Sequence, residues 1–269
     1  MIFDFFFNKK RKKLKTNVET LLCNKSNFAA TEAYKLLRTN LVFTLPDEKK
    51  CRIIGITSSV RGETKSTTAI NLSYVVAEAG RRVLLIDADL RLPTVSKKLG
   101  LPATPGLSET LINPQGEVVG IIKMERENWH ILPAGSIPPN PSELLGSAQM
   151  QALLEKLSDE YDVIVVDLPP VNIVSDAVTI SPMLSGMVVV VRANYTRRRE
   201  LNKCLKSLDF ANAKVLGMIV TDKPRSGRLY MKYRRYGKSG DYNSSYSSYG
   251  YYYGHPSKNK ALEETIDNE

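Results

Sequence analysis

The stretch ITSSVRGETKSTTAINL, residues 56–72, decides the fold of this sequence. An apolar run ends in it, a short loop containing Gly62 follows, and Lys65, Ser66 and Thr67 begin a helical pattern. This order of strand, loop and helix is the layout of a phosphate-binding loop, in which loop amides and the helix N-terminus converge on phosphate oxygens. We therefore predict a nucleotide site here. An ordinary capped strand–helix turn is the alternative.

Two residues of this loop would bind the phosphates and Mg²⁺, and a third departs from the usual pattern. Lys65 would neutralise the β- and γ-phosphates, and the Ser66 hydroxyl would bind Mg²⁺. The usual pattern has glycine directly before the lysine, where this sequence has Thr64. A β-branched residue disfavours the backbone angles that glycine adopts, so Thr64 weakens the motif without erasing it. The predicted nucleotide-binding set is Ser59, Gly62, Glu63, Thr64, Lys65, Ser66 and Thr67.

Beyond the loop, short apolar runs alternate with helical segments. The runs are mostly continuous, as in strands covered on both faces of a parallel sheet. Helical patterns lie at 28–44, 67–80 and 142–160, the last with Ser142 as a candidate N-cap. The alternation predicts an α/β sandwich with a mostly parallel central sheet. The predicted strands are 52–57, 83–89, 129–134, 162–169, 186–193 and 215–222.

Three carboxylates stand at the ends of two of these strands. Asp87 and Asp89 end the run at 83–89, and on a straight strand they would point the same way. Asp167 ends the run at 162–169. Carboxyl ends of parallel strands face the crevice where α/β folds bind ligands. Three acids beside a triphosphate suit a Mg²⁺-dependent phosphoryl-transfer site, whereas solvated acids at strand ends are the alternative.

The composition of the 269 residues, with 42% hydrophobic and 25% charged, excludes collagen-like, disulfide-scaffold and wholly disordered chains. The longest apolar run, at 187–191, is too short to span a membrane. The three cysteines, Cys23, Cys51 and Cys204, lack metal-binding spacing and predict free thiols in a cytosolic protein.

The net charge of +10 is concentrated in basic runs at 9–15 and 223–238. Such runs are attracted to an acidic membrane, nucleic acid or protein, or they are simply solvated. The first run follows the aromatic stretch MIFDFFF. That segment could rest on an anionic leaflet, dock on a membrane partner or pack locally.

Tyrosine is concentrated near one end of the sequence. Nine of the 13 tyrosines lie within 230–253, in a segment rich in Gly, Ser and Arg that predicts a mobile tail. Such a segment suits a phosphoacceptor, because its hydroxyls are reachable. A low-complexity or RNA-binding tail is the alternative. The candidate acceptors are Tyr230, Tyr233, Tyr236, Tyr242, Tyr246, Tyr249, Tyr251, Tyr252 and Tyr253.

Together these motifs resemble the bacterial tyrosine kinases of capsule and exopolysaccharide assembly. The resemblance spans about 29–222 and is carried by the loop at 56–72, VLLIDADLRLP, LPAGSIPPNPSELL, YDVIVVDLPP and the EAYKLLRTN helix. It implies a three-layer P-loop NTPase-like domain at 28–222, between a basic and aromatic segment at 1–27 and the tail at 223–269.

The resemblance also implies residue roles. Lys65, Ser66 and Thr67 would hold ATP and Mg²⁺, with Asp89 and Asp167 helping to hold the metal. Asp87 would orient or deprotonate the incoming tyrosine hydroxyl, so the catalytic set is Lys65, Asp87 and Asp89. Thr221 stands where relatives commonly carry an asparagine near the adenine base.

Several partners follow from the same resemblance. Glu32, Lys35 and Arg38 match a subunit-contact motif of ring-shaped oligomers, such as an octamer, with Lys35 replacing the usual arginine. Tail tyrosines would be phosphorylated between neighbouring subunits. The expected partners are a transmembrane chain-length regulator at the inner face of the membrane and a cognate tyrosine phosphatase, with no nucleic acid. Two alternatives stay open: a catalytically degenerate nucleotide-binding scaffold and a partitioning-type ATPase.

Overall fold

The computed structural model describes residues 21–24, 28–44, 51–113 and 116–222. The predicted tail, with its nine candidate phosphoacceptor tyrosines, lies outside the described residues. So does most of the predicted segment at 1–27, including its basic run.

The centre of the molecule is a seven-stranded sheet. Its strands are β1 (Arg52–Ser58), β2 (Val83–Asp87), β3 (Ile122–Lys123), β4 (Trp129–Leu132), β5 (Val163–Asp167), β6 (Gly186–Arg192) and β7 (Val215–Thr221). Their order across the sheet is β3-β4-β2-β5-β1-β6-β7. Every neighbouring pair is parallel except β3 and β4. The predicted mostly parallel sheet is therefore confirmed.

Eight α-helices accompany the sheet in the described part of the chain. They are α1 (Phe28–Thr44), α2 (Lys65–Glu78), α3 (Val95–Leu99), α4 (Leu107–Ile112), α5 (Pro141–Leu145), α6 (Ala148–Glu160), α7 (Asp176–Ile180) and α8 (Arg198–Phe210). Within the described ranges, no helix combines the length and the apolar character needed to cross a bilayer.

Helices cover the sheet on both faces, which explains why the strands are continuously apolar. In β2, Leu84 and Ile86 belong to the core that includes residues of α6 and α8. Val83 and Leu85 belong to the core that includes residues of α1 and α2. All four side chains are fully buried. Each face of the strand therefore removes apolar surface from water, and the predicted three-layer α/β sandwich is confirmed.

The helix predicted over 142–160 is two helices, α5 and α6. Asn140 is the N-cap residue of α5, Pro141 occupies its first turn, and Gly146 ends it. Ser142 therefore lies inside the helix, and the N-cap prediction was wrong. Glycine is a poor helix former, so the chain breaks there and Ser147 caps α6 by accepting a hydrogen bond from the Met150 amide at 3.2 Å.

Strand β2 is shorter than predicted. It ends at Asp87, so Asp89 lies in the following turn rather than on the strand. The expectation that residues two apart on a strand point the same way therefore does not apply to these two carboxylates. Instead, the Asp89 amide lies 3.3 Å from Asp87 Oδ1, and the turn places both acids at the carboxyl edge of the sheet.

Candidate active site

The predicted site residues meet at the carboxyl edge of the sheet. Strand β5 lies between β1 and β2, and Asp87 is directly opposite Asp167 in the parallel register of β2 and β5. Lys65 is the first residue of α2, which follows β1 through the phosphate loop. The helix N-terminus and the ends of two strands therefore face the same space.

Lys65 is the centre of this cluster. Its Nζ lies 2.8 Å from Asp89 Oδ2 and 3.3 Å from Asp167 Oδ1. It also lies 3.3 Å from the Ser66 hydroxyl. Burial alone would lower the pKa of Lys65, but the charges of Asp167 and Asp89 outweigh it and raise that pKa above its usual value. Lys65 is therefore a fixed positive charge between two carboxylates.

Asp87 is fully buried and differs from the other two acids. Its Oδ2 accepts hydrogen bonds from the amides of Thr94, at 3.1 Å, and Val95, at 3.0 Å. Burial and the nearby charge of Asp167 raise the pKa of Asp87 to about 7. A carboxyl group with a pKa near neutrality can hold or release a proton, which is the property of a general base.

The surroundings of Asp167 indicate whether this cluster can bind Mg²⁺. Burial raises the pKa of its carboxyl group, against the charge of Lys65 and a hydrogen bond from Ser66. Its Oδ2 is buried and has no hydrogen-bond partner among the described residues. The unpartnered carboxylate oxygen and the nearby serine hydroxyl are both oxygen ligands. Mg²⁺ prefers oxygen ligands, and a buried polar atom without a partner needs one. The residues present therefore fit the ion.

The described residues contain no group of three or more His, Cys, Asp and Glu side chains that could hold a metal ion. Mg²⁺ usually takes only one or two protein carboxylates, with waters and substrate phosphates as its other ligands. Ser66, Asp89 and Asp167 thus stay the predicted metal-binding set.

Thr64, the departure from the usual loop pattern, has a left-handed backbone conformation, with φ 66°, which glycine adopts without steric cost. Its hydroxyl lies 2.6 Å from the Glu63 carbonyl oxygen and 3.0 Å from the Thr221 hydroxyl. The left-handed region is disfavoured for a β-branched residue, so these contacts hold a strained residue in place.

Two of the predicted nucleotide-binding residues hold the loop together through their side chains. The carboxylate of Glu63 is buried and accepts hydrogen bonds from the Ser59 hydroxyl, at 2.9 Å, and the Val60 amide, at 2.8 Å. It also accepts one from the Thr196 hydroxyl. Glu63 therefore closes the loop on itself and joins it to the segment after β6.

Sequence patterns did not reveal the residues that support the loop from the end of β6. Arg192 Nη1 donates to the Gly62 carbonyl at 3.1 Å, and its Nε lies 2.7 Å from Asp222 Oδ2. The Tyr195 hydroxyl donates to the Arg61 carbonyl at 3.0 Å. The only signal was that polar residues follow β6 at the same sheet edge where the acids follow β2 and β5.

The predicted oligomer-contact residues lie on α1, as expected from their spacing. Glu32 and Lys35 form an ion pair of 3.1 Å between half-exposed side chains. Arg38 Nη1 instead donates to the Val75 carbonyl of α2 at 2.7 Å. Arg38 therefore also fastens α1 to α2 within this chain.

Comparisons with known proteins agree with this fold. A family model described as AAA domain matches residues 51–212. Tyrosine-protein kinase YwqD of Bacillus subtilis is 36% identical over 210 residues, which is 78% of this chain and 86% of that protein. The chimerical protein CapA2B2 superposes with a TM-score of 0.71 at 34% identity, over 77% of this chain and 91% of that chain. The kinase domain of the Escherichia coli tyrosine kinase ETK superposes with a TM-score of 0.66 at 29% identity, over 73% and 78%.

The fold and the lysine–carboxylate cluster first define the class, which is an α/β domain of the P-loop ATPase type. The identity to the kinase sequences places the chain more narrowly. It belongs to the family of bacterial tyrosine-protein kinases, and the resemblance found in the sequence is confirmed.

Proposed function

We propose that this chain is an ATP-dependent, autophosphorylating protein-tyrosine kinase. It transfers the γ-phosphoryl group of ATP to tyrosines at 230–253, between neighbouring subunits of a ring-shaped oligomer. The observation that carries this proposal is the position of Lys65 at the start of α2, 2.8 Å from Asp89 and 3.3 Å from Asp167. A helix N-terminus, a cation and buried carboxylates are the groups that phosphoryl transfer requires.

ATP with Mg²⁺ would supply the phosphoryl group and the positive charge that stabilises its oxygens during transfer. The residues of the chain itself would bind and orient the nucleotide and its metal ion. The loop at 59–67 would hold the phosphates by its amides, with Lys65 as the fixed cation. Ser66, Asp89 and Asp167 would hold the metal ion.

Asp87 would handle the proton of the acceptor hydroxyl. Its Oδ2 accepts two amide hydrogen bonds at 3.0 and 3.1 Å, whereas its Oδ1 has only the longer contact of 3.3 Å with the Asp89 amide. Oδ1 is thus the atom with capacity to accept a proton from a tyrosine hydroxyl. The bonds to Oδ2 keep the carboxylate oriented while it does so.

The family resemblance supports the wider role. It implies a role in the control of capsular or exopolysaccharide synthesis, with a transmembrane activator that would recruit the chain to the inner face of the membrane and a phosphatase that would reverse the modification. Several phosphates on adjacent tyrosines would repel one another, which gives a physical route to ring dissociation.

The test is to incubate the purified full chain with Mg·ATP and the membrane activator, then examine residues 230–253 by mass spectrometry. D87N should lower phosphotyrosine by about 10²–10⁴-fold, the usual contribution of a general base. K156M, on the exposed side of α6, is the control and should keep full activity. No phosphotyrosine in the unmodified chain would overturn the proposal, and ATP hydrolysis without phosphotyrosine would instead favour a partitioning-type ATPase.

A second candidate is a scaffold that keeps the kinase fold but binds nucleotide weakly. The observation that favours it is the left-handed conformation of Thr64 beside Lys65, where the usual glycine would leave more room. Such a scaffold would show neither phosphotyrosine nor tight ATP binding until Thr64 is replaced by glycine.

A further inference from the structure

An open groove of about 1120 Å³ lies between the loop that follows β5 and the helix α8. The first residues of that loop are fixed to the phosphate loop. The Val171 amide donates to the Ser58 carbonyl at 2.9 Å, and the Asn172 amide donates to the Ser59 carbonyl at 3.2 Å. The groove therefore begins at the same sheet edge as Lys65, although the nucleotide site does not use it.

The α8 wall of this groove is basic. Arg198, Arg199, Lys203 and Lys206 line it, and its lining includes no acidic residue. Throughout the part of the chain that the structure describes, none of these four side chains forms an ion pair. The two arginines also lie in the first turn of α8, where the helix dipole disfavours positive charge, and Glu200 supplies one acidic residue to the same turn. An anionic partner would reduce the repulsion among the four cations and the repulsion between the two arginines and the helix dipole.

The groove also contains apolar surface. Phe210 is 92% exposed and Ile173 is 47% exposed, and both line it. A small inorganic anion would leave these side chains in water. A ligand that carries several negative charges and a few aliphatic side chains would match the groove better, because it would cover the apolar surface as well.

The sequence contains such a segment at 261–269, ALEETIDNE, which we call the acidic segment. It has four carboxylates, Glu263, Glu264, Asp267 and Glu269, and no basic residue, together with Leu262 and Ile266. The 38 residues between Asp222 and this segment can span more than about 100 Å when extended, so they can reach the groove. We propose that the acidic segment binds in the basic groove of α8.

This binding would hold the tyrosine-rich segment at both of its ends. One end follows Asp222, and the other would be held at the groove. The tyrosines at 230–253 lie between these two points in the sequence.

The experiment measures fluorescence anisotropy of a labelled peptide of residues 259–269, acetylated and amidated so that its termini add no charge. The receptor is the full chain carrying E263Q, E264Q, D267N and E269Q, which removes the competing intramolecular segment. K203E/K206E in this receptor should weaken peptide binding by about tenfold or more, because each reversal replaces an attraction with a repulsion. K123E/K156E changes the net charge equally outside the groove and should leave binding unchanged.

Two further results test the proposal. The chain with its own acidic segment intact should bind the peptide more weakly than the neutralised receptor, since the groove is already occupied. The affinity should also fall when the ionic strength rises from about 0.05 M to about 0.3 M. Failure of the neutralised receptor to bind, or equal weakening by K203E/K206E and K123E/K156E, would overturn the proposal. None of these measurements requires kinase activity.

Discussion

The hydroxyl oxygens of Thr64 and Thr221 lie 3.0 Å apart, which joins the residue before Lys65 to the last residue of β7. The resemblance found in the sequence marks both positions as departures from the expected pattern near the predicted nucleotide site, and the two residues are in contact with each other. Thr64 keeps the backbone conformation of a glycine, and the contact with Thr221 helps to hold it there.

The contact between the two threonines should appear as a coupling energy. In a double-mutant cycle with T64A and T221A, we expect an interaction energy of about 0.5–1.5 kcal/mol, the range for one partly buried hydrogen bond. Urea denaturation of the two single variants and the double variant measures it. T221S keeps the hydroxyl and should behave as the unmodified chain. Strict additivity of T64A and T221A would show that the hydroxyl contact contributes nothing.

Replacing Thr64 by glycine should improve nucleotide binding. Glycine adopts the left-handed conformation without strain and lets the backbone approach phosphates closely. We expect T64G to bind ATP about three- to tenfold more tightly by isothermal titration calorimetry, while stability stays within about 1 kcal/mol because relieved strain offsets the lost hydrogen bond. An affinity that does not change would mean that Thr64 is fully tolerated. Activity that appears only in T64G would favour the scaffold.

Removing the Lys65 charge should lower the free energy of unfolding as well as the activity. In K65M the carboxylates of Asp89 and Asp167 are left without their shared cation, so we expect a loss of about 3 kcal/mol at pH 7. Adding D167N should recover part of that loss. K97M, at an exposed position of α3, is the control and should stay within about 0.5 kcal/mol. The measurement is the free energy of unfolding in urea, and equal values for K65M and K97M would contradict it.

Gly62 offers a matched comparison with Gly80, because both have φ 84°. A Cβ at Gly62 would lie 2.9 Å from the Tyr195 hydroxyl, whereas a Cβ at Gly80 would have open space. Both G62A and G80A should lose about 1 kcal/mol through backbone strain. Only G62A should also weaken ATP binding, since its side chain would push on Tyr195 and on the loop. Loss of ATP affinity in G80A would refute this separation.

Glu109 should make the free energy of unfolding depend on pH in the acidic range. Burial would raise the pKa of Glu109, but hydrogen bonds from Ser136 and the Gly106 amide outweigh it, and the pKa lies below its usual value. A lowered pKa in the folded chain stabilises it above the usual pKa of about 4.3, and this contribution is lost as the pH falls through the folded-state value. E109Q should therefore be about 1 kcal/mol less stable than the unmodified chain at pH 7.

The same difference between E109Q and the unmodified chain should shrink as the pH falls below the usual pKa of about 4.3 and through the lowered folded-state pKa of Glu109. Urea midpoints at several pH values measure it, with E125Q, at an exposed position, as the control. A difference that does not decrease as the pH falls below about 4.3 would show that the charge of Glu109 does not stabilise the fold.

The parts of the fold that sequence could predict are those with strong local patterns. The central strands β1, β2, β5 and β6 were recognisable because most of their residues are buried on both faces, and the phosphate loop because of its order of residue types. Helices α3, α4 and α7 have only five or six residues each, too few turns for a helical period to be visible, and the two-residue strand β3 is shorter still. Helix α8 is long enough, but only Cys204 and Leu208 on it are buried, and it was not predicted.

The supporting contacts of the site could not be predicted for a different reason. Thr196 and Glu63 are 133 residues apart in the chain, and Arg192 and Gly62 are 130 apart. Local spacing carries no information about such pairs. Ser142 is a similar case, since its hydroxyl contacts Asp176, which Arg91 also holds through an ion pair of 2.8 Å. A serine after a proline looked like a helix cap, but tertiary contacts decided its role.

Arg192 bridges Asp222 and the Gly62 carbonyl with one guanidinium group. Asp222 is the last described residue before the tyrosine-rich segment begins. Arg192 is itself the last residue of β6, and the residue that precedes Asp222, Thr221, touches Thr64 of the phosphate loop. The point at which the chain leaves β7 is therefore joined to the loop that would hold the donor phosphates by two separate contacts.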